Sequence, residues 1–379
     1  MNARERYLAT VLFGKPDKIP FIPGGPREST LKAWHQQGLP EGVDWFACLC
    51  DKIGIECQTY YNTVGPGARF AMLPEFEQKI LERRPGVLVV QDWKGNICEI
   101  SDAYDPSYCG GIGEKSDFVT RKWIKCPVEN EADWEAMKKR YNPDEPGRFP
   151  DDFKERCRKL AKRKDVAVVS FSGVFWQLRE WMGFENLCMA FIENPGLVKS
   201  MIAFWEQYVL TLLERMFKQT VPDVTLVSED MAYKEKAMIS PAMTREFILP
   251  TWRKWGDLVR TAGCPVYEID SDGYIGELIP LWIEAGFNSN DPIEVAAGND
   301  LPAYRRKYGT KMAYHGGVDK REMAKGGAVI KQEMERLAPA IKSGGIIPSC
   351  DHGIPPDVSW PNMIEYSRLL AQVTGWLQK

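Results

Sequence analysis

The chain has 379 residues, of which 44% are hydrophobic and 27% are charged, a composition typical of a globular protein with a large core. The net charge of −3 argues against nucleic acid or an anionic membrane surface as a partner. No apolar run reaches the roughly 20 residues that span a bilayer. Residues 1–15 are charged and helical in pattern, without the apolar centre of a secretory signal. We therefore expect a cytoplasmic protein whose cysteines are thiols.

The first part of the chain predicts helices followed by a β-rich insertion. Residues 2–13 and 30–60 have helical periodicity, and the apolar residues 19–23 between them predict a short first strand. Between about 68 and 127 the pattern changes to alternation, with a Lys-Gly-Asn hairpin signal at 94–96. We interpret this region as an antiparallel insertion. Residues 128–163 predict a solvated connector of helices and loops.

After residue 164 strands and helices alternate in a regular rhythm. The predicted strands are residues 165–171, 223–228, 265–269, 286–290, 311–315 and 344–348. The predicted helices are residues 176–193, 195–219, 240–262, 275–285, 297–308 and 320–342. Six such units indicate a parallel α/β architecture, and no G-x-G-x-x-G dinucleotide motif follows a strand. We predict a single (β/α)8 barrel domain over residues 1–379, with its two earliest strands in the N-terminal part.

The predicted strands end in polar residues. In a barrel the C-terminal strand ends form one mouth, where catalytic groups lie. The candidates there are Ser170, Ser172, Glu229, Asp230, Asp270, Asp272, Glu294, His315, Asp319, Cys350, Asp351 and His352. Some strand-end carboxylates cap the following helix instead, and this alternative fits Asp319 best.

The chemistry of these donors favours a divalent metal. Asp270 and Asp272 are two residues apart and face the same side of a strand. The segment 344–356 adds a soft thiol and an imidazole at Cys350 and His352. The alternative interpretation is a tight turn whose polar side chains form hydrogen bonds with its own backbone. Mixed carboxylate, imidazole and thiol donors suit zinc. The aromatic segment 171–184 fits either the core or the wall of a pocket over the mouth.

Several motifs together resemble the uroporphyrinogen decarboxylase superfamily over nearly the whole chain. They are N-A-R-E-R-Y-L-A (2–9), K-P-D-K-I-P (15–20), S-E-D-M-A-Y (228–233), I-S-P (239–241), D-S-D-G (270–273), H-G-G-V-D-K-R (315–321) and C-D-H-G-I-P-P-D (350–357). The resemblance implies a (β/α)8 barrel, in agreement with the rhythm of strands and helices.

Within the superfamily, the resemblance to the decarboxylases is incomplete. Their N-terminal arginines hold the carboxylates of a porphyrinogen, whereas residues 23–29 contain only Arg27 beside an acid. Cobamide-dependent methyltransferases bind zinc through H-x-C and a distant Cys. Here Asp270-Ser271-Asp272 stands in place of H-x-C, and Cys350 matches the distant Cys.

The chain looks most similar to the methyltransferases of anaerobic O-demethylase systems. Their zinc sites include a Glu and a His separated by 20 residues, the spacing of Glu294 and His315. The resemblance implies Zn²⁺ held by a set drawn from Asp270, Asp272, Glu294, His315 and Cys350. It also implies a corrinoid (cobalamin) carried by a partner protein.

The function expected from this resemblance is transfer of a methyl group from a methylated substrate to the cobalt(I) of that corrinoid. An aryl methyl ether is the expected donor, and a methylamine-like compound or a small alcohol stays open. Glu229, Asp230 or His352 would act as the acid that stabilises the leaving phenolate. Two alternatives stay open: a lyase acting on a tetrapyrrole or another carboxylated substrate, and a non-catalytic barrel that binds a corrinoid or a partner. A homodimer is the default assembly.

Overall fold

The computed structural model describes residues 1–57, 63–102 and 120–378. Its strands are β1 (Thr63–Val64), β2 (Lys79–Arg84), β3 (Val87–Gln91), β4 (Ile97–Ser101), β5 (Lys122–Lys125), β6 (Val166–Ser172), β7 (Val224–Ser228), β8 (Val266–Asp270), β9 (Ser289–Ile293), β10 (Ala313–Val318) and β11 (Ile346–Cys350). Its helices are α1 (Ala3–Val11), α2 (Glu28–Gln36), α3 (Trp45–Ile53), α4 (Glu131–Lys138), α5 (Phe153–Leu160), α6 (Val174–Met182), α7 (Phe184–Glu193), α8 (Pro195–Phe217), α9 (Pro241–Met243), α10 (Leu249–Thr261), α11 (Ile279–Ala285), α12 (Leu301–Tyr308), α13 (Lys320–Lys325), α14 (Ala328–Lys342) and α15 (Trp360–Thr374).

The main sheet is parallel and has the strand order β1-β6-β7-β8-β9-β10-β11. Its strands are rich in valine and isoleucine because helices cover the outer face and side chains fill the inner one. The sheet is curled, since inner-face residues of five strands join one cluster with α1 at the N-terminal strand ends. That cluster contains Tyr7, Val11, Val166, Val224, Val266, Ala313 and Ile347. Helix α1 therefore closes one end of the sheet and leaves the other end as the open mouth.

The predicted closed barrel of eight strands is not confirmed. The α/β class and the parallel sheet are as predicted, but residues 19–23 form no regular strand. They contain two prolines, which lack the N–H that a ladder needs. This segment reaches β11 only through single contacts, such as the Cys350 N–H donating to the Pro23 carbonyl at 3.3 Å. In the described part of the chain, the parallel sheet has seven strands.

The predicted insertion is a separate antiparallel sheet with the order β2-β3-β4-β5. Its central hairpin turns at residues 94–96, where the Asp92 carboxylate accepts from the N–H groups of Lys94 and Asn96 at 2.9 and 2.8 Å. Residues 103–119 of the predicted insertion lie outside the described residues, as do residues 58–60 of the predicted helix 30–60.

Several predicted helices are divided. The stretch 176–193 breaks at Gly183, whose φ of +78° few other residues adopt, and it forms α6 and α7. The stretch 240–262 includes a π-helical turn at Thr244–Ile248, and 320–342 breaks between α13 and α14. The strand predicted at 286–290 begins three residues later, at Ser289. Asp319 does cap α13, as predicted, by accepting from the Arg321 N–H.

Among the described helices, none is individually long and apolar enough to cross a membrane. Among the same helices, α7 and α8 taken together are long and apolar enough, but they are bent by 115° relative to each other.

Candidate active site

A cavity of about 610 Å³ lies at the C-terminal ends of the parallel strands. It is lined by Ile22, Gly24, Gly25, Trp176, Ser228, Asp230, Asp270, Asp272, Asp291, Pro292, His315, Ile347, Ser349, Cys350, His352 and Gly353. The alternation of side chains along a strand explains which residues face the cavity, as β8 illustrates. Along β8, Val266, Glu268 and Asp270 are two residues apart and share the inner face, so that Val266 lies in the floor cluster and Asp270 reaches the cavity.

Two aspartates lie side by side at the centre of the cavity. The sheet register pairs Asp270 of β8 with Asp291 of β9. Burial, followed by repulsion from Asp291, Asp272, Asp230 and Glu268, holds the pKa of Asp270 well above its usual range. Burial also raises the pKa of Asp291. Burial is therefore the main cause of the raised pKa of both acids.

Asp230 reaches the cavity from a constrained backbone. Its φ of +32° is in a region that non-glycine residues rarely adopt. The carboxylate accepts from the Asp272 N–H at 3.0 Å. Arg179 donates to the Asp230 carbonyl at 3.1 Å, lies 3.7 Å from its carboxylate, and stacks on Trp176 at 4.3 Å. Burial and the charge of Asp272 raise the pKa of Asp230. A strained acid held by several contacts is typical of a functional position.

His352 forms an acid–base pair with Asp272 at the cavity wall. The imidazole Nε2 lies 3.2 Å from Asp272 Oδ2, and the imidazole Nδ1 accepts from the Gly353 N–H at 2.7 Å. Since Nδ1 accepts, the neutral ring carries its proton on Nε2 and donates it to Asp272. The contact with Asp272 raises the pKa of His352. This pair is therefore suited to deliver a proton to a ligand in the cavity.

The cavity floor contains a second imidazole–carboxylate pair. His315 of β10 has its Nε2 3.4 Å from Oε2 of Glu268, which also accepts from the Ser289 hydroxyl at 2.5 Å. Both side chains are buried. Burial raises the pKa of Glu268, and the neighbouring His315 opposes that change.

Glu229 does not line the cavity. Its side chain is fully buried behind it, where Oε1 accepts from the Phe175 N–H at 2.6 Å at the start of α6. Burial raises the pKa of Glu229 to about 8. The other carboxylate oxygen occupies the space beside Gly173, only 1.1 Å from where a Cβ would lie. This placement holds Glu229 at the start of α6, outside the lining of the cavity.

Glu294 and Cys350 line different cavities. Glu294 accepts from the Gly273 N–H at 3.0 Å, lies 3.5 Å from Lys320, and lines a neighbouring cavity of about 440 Å³. Cys350 lines the first cavity, where burial raises the pKa of its thiol to about 12. Asp272 borders both cavities.

Four of the five predicted metal ligands, Asp270, Asp272, His315 and Cys350, line the first cavity, whereas Glu294 lines the second. Within residues 1–57, 63–102 and 120–378, no group of three or more His, Cys, Asp or Glu side chains is arranged to hold a metal ion. Glu294 is already engaged by Lys320 and a backbone N–H. The residues therefore do not fit the predicted zinc site as they stand.

A scan against protein-family models matches residues 113–369 to uroporphyrinogen decarboxylase (URO-D). This match covers more than half of the chain. The chain belongs to the uroporphyrinogen decarboxylase family. The resemblance inferred from the motifs is thus confirmed.

Among solved structures, this family member is similar to a methyltransferase from Methanosarcina mazei. The two share 14% sequence identity at a TM-score of 0.58, over 99% of this chain and 98% of the other. A B12-independent methionine synthase from Shewanella sp. W3-18-1 also matches, with 10% identity, 59% and 65% coverage and a TM-score of 0.37. At these identities the first match supports the fold alone, and the second is too distant to support more. No curated protein sequence matches significantly.

In this uroporphyrinogen decarboxylase family member, the cavity brings together most of the predicted site residues, namely Asp230, Asp270, Asp272, His315, Cys350 and His352. Sequence reasoning missed Asp291, Glu268 and Arg179. The two acids were detectable as inner-face positions of alternating strands, but the strand predicted at 286–290 ended before Asp291. Both interpretations of the aromatic segment hold, because Trp176 lines the cavity while Trp181 is buried in the core.

Proposed function

We propose that the chain is a methyltransferase that removes the methyl group of a small methylated substrate, an aryl methyl ether, for transfer to the cobalt(I) corrinoid of a partner protein. The observation that carries the proposal is the acid-lined cavity, in which four aspartates and the Asp272–His352 pair surround space for one small ligand. Such a site is suited to release an oxygen leaving group by protonating it.

The reaction requires a nucleophile from outside the chain. Cys350 is the thiol at the cavity, and the raised pKa of about 12 keeps it protonated near neutral pH. The corrinoid would supply that nucleophile, a cobalt(I) electron pair. In that transfer the methyl group would pass to the cobalt as the methyl–oxygen bond breaks, the electron pair of that bond would stay on the phenolate oxygen, and the oxygen would take up one proton.

His352 is the proposed proton donor for this oxygen. The contact with Asp272 favours the imidazolium form of His352, which can give one proton to this oxygen and return to the neutral ring. The Asp272 side chain is 41% exposed and also lines the second cavity. Protonation of a poor leaving group at this position lowers the barrier to methyl loss. Asp230, held by Arg179 and the Asp272 N–H, is the second acid within the same cavity.

Zinc stays a prediction, and the proposal includes no step that depends on it. When bound, zinc would polarise the ether oxygen as a Lewis acid. The zinc content of the purified wild type, compared with Glu294→Ala, His315→Ala and Cys350→Ala, tests the predicted ligand set. About one zinc per chain, lost in all three variants, would support that set.

The acid-lined cavity is less suited to the alternative, a lyase that acts on a carboxylated tetrapyrrole. Four aspartates line it, and Arg27 is not a lining residue. Substrate carboxylates entering this space would meet charges of the same sign.

The test is an anaerobic assay with an aryl methyl ether and cobalt(I) cobalamin. We expect methyl transfer by the wild type and a loss of about 100-fold in rate for His352→Gln, as is usual when a general acid is removed. Asp357→Asn, an exposed aspartate outside the cavity, is the control. An active His352→Gln with an unchanged pH profile would overturn the assignment of His352. Decarboxylation of a tetrapyrrole without any methyl transfer would overturn the function.

A further inference from the structure

The cavity has negative potential without an internal counter-charge. Its lining includes Asp230, Asp270, Asp272 and Asp291 but no lysine or arginine. The nearest cations are used elsewhere: Arg179 contacts Asp230 from behind Trp176, and Lys320 lies near Glu294 and Asp351. In the described residues, Asp270 and Asp291 form no ion pair with lysine or arginine. The two central acids are therefore available to a positively charged ligand.

A separate polar atom on the same surface also lacks a partner. Nε2 of His315 has no hydrogen bond, although the residue is only 6% exposed and lines the cavity. Its nearest charged neighbour is Glu268 Oε2 at 3.4 Å, beyond ideal hydrogen-bond geometry. A buried polar atom without a partner costs free energy, which a ligand that donates a hydrogen bond removes.

We propose that the methyl donor is a cation, an aromatic methyl ether that carries a protonated amine, with the ammonium held by Asp270 and Asp291. This inference rests on the proposed function and names the substrate class of the same site. Trp176, the aromatic side chain of the lining, packs against the ring of the donor. The ammonium N–H groups satisfy the carboxylates and the free nitrogen of His315 together.

The charges around the two central acids favour the same ligand. Asp270 is faced by Asp291 of β9, Asp272 and Asp230 in adjoining loops, and Glu268 of its own strand. Burial and the repulsion of these carboxylates raise the pKa of Asp270, and burial raises the pKa of Asp291 although the imidazoles of His315 and His352 oppose that change. A cation placed between Asp270 and Asp291 favours the charged form of both acids.

The test uses three ligands that share a 4-hydroxy-3-methoxybenzyl or benzoyl core and differ in charge: vanillylamine, vanillyl alcohol and vanillate. Isothermal titration calorimetry of the full chain measures binding directly, without corrinoid or turnover. We expect vanillylamine to bind about ten-fold more tightly than vanillyl alcohol, and vanillate more weakly than both.

The double variant Asp270→Asn, Asp291→Asn should abolish the preference for vanillylamine, whereas Asp357→Asn should keep it. Circular dichroism confirms that the variants fold. Equal affinity for all three ligands, or preference for vanillate, would overturn the cationic donor while leaving methyl transfer from a neutral aryl ether intact. Conversely, preferential binding of vanillylamine without methyl transfer to cobalt(I) would support the cation site and contradict the proposed function.

Discussion

Buried carboxylates at the two ends of the parallel sheet differ in their partners and in the direction of their pKa shifts. At the N-terminal strand ends, Asp223 is fully buried but bonds to Arg163 at 2.7 and 2.8 Å, to Arg4 at 2.9 Å and to the Ala167 N–H at 2.8 Å. Burial acts to raise its pKa, but these contacts outweigh burial and lower it. At the C-terminal ends, Asp270 has no such partners, and its pKa is raised.

This difference separates a structural acid from a functional one. A buried charge with complete partners stabilises the fold only while those partners remain. Acids without compensation destabilise the empty protein, and a ligand or a reacting group recovers that free energy. The closed end and the mouth should therefore respond differently to substitution and to pH.

The largest expected effect is at the closed end. Asp223→Ala leaves Arg4 and Arg163 without their shared carboxylate, and we expect a loss of about 3 kcal/mol in the free energy of unfolding. Urea unfolding followed by circular dichroism measures it. Asp357→Ala, at an exposed position, should change stability by less than about 0.5 kcal/mol. A loss equally small for Asp223→Ala would remove the distinction between the two ends.

A somewhat smaller effect is expected for Gly173→Ala, just behind the mouth. The new Cβ would lie 1.1 Å from Glu229 Oε2, so the carboxylate must leave its contact with the Phe175 N–H. Overpacking of this kind costs about 2 kcal/mol. The control is Gly196→Ala in α8, where the nearest atom to the new Cβ is 3.9 Å away. Equal stability of the two variants would show that the space beside Gly173 is not filled by Glu229.

The pH dependence of stability tests Glu229 itself. The pKa of Glu229 is raised from 4.5 to about 8 in the folded chain, so its contribution is complete below 4.5 and is lost as pH rises towards 8. The slope for one group is at most about 1.4 kcal/mol per pH unit. Glu229→Gln should flatten the decline in stability between about pH 5 and pH 8. Asp223, whose pKa is lowered, should instead lose its contribution in acid. An unchanged profile in Glu229→Gln would contradict this account.

The smallest effect on stability is expected for Asp270→Asn. Removing a carboxyl that its neighbours repel should change the unfolding free energy by less than about 1 kcal/mol at neutral pH, in either direction. The same variant should lose affinity for a cationic ligand. Urea unfolding and calorimetry on one preparation measure both. A destabilisation as large as that of Asp223→Ala would mean that Asp270 holds the fold.

The rhythm of strands and helices was sufficient to predict the parallel sheet, and the alternation before residue 128 predicted the antiparallel one. The strand predicted at residues 19–23 does not form because Pro20 and Pro23 lack the backbone N–H groups that a sheet requires. At the site, the ends of the predicted strands pointed to Asp270 and His315, both of which line the cavity. Glu229 lies outside the lining because Ser228 and Asp230, two residues apart, face the cavity and the residue between them does not. Arg179 was missed because its contact with Asp230 joins residues 51 positions apart. The single domain, the homodimer and the cytoplasmic location stay predictions.

The most direct test of the proposed function uses an aryl methyl ether with a ¹³C-labelled methyl group, the wild-type chain and cobalt(I) cobalamin under anaerobic conditions. We expect the label to appear as methylcobalamin in the NMR spectrum, together with one equivalent of phenol. We also expect His352→Gln to form the product far more slowly. An aryl ether that stays intact with wild type, while a carboxylated tetrapyrrole loses CO₂ under the same conditions, would contradict it.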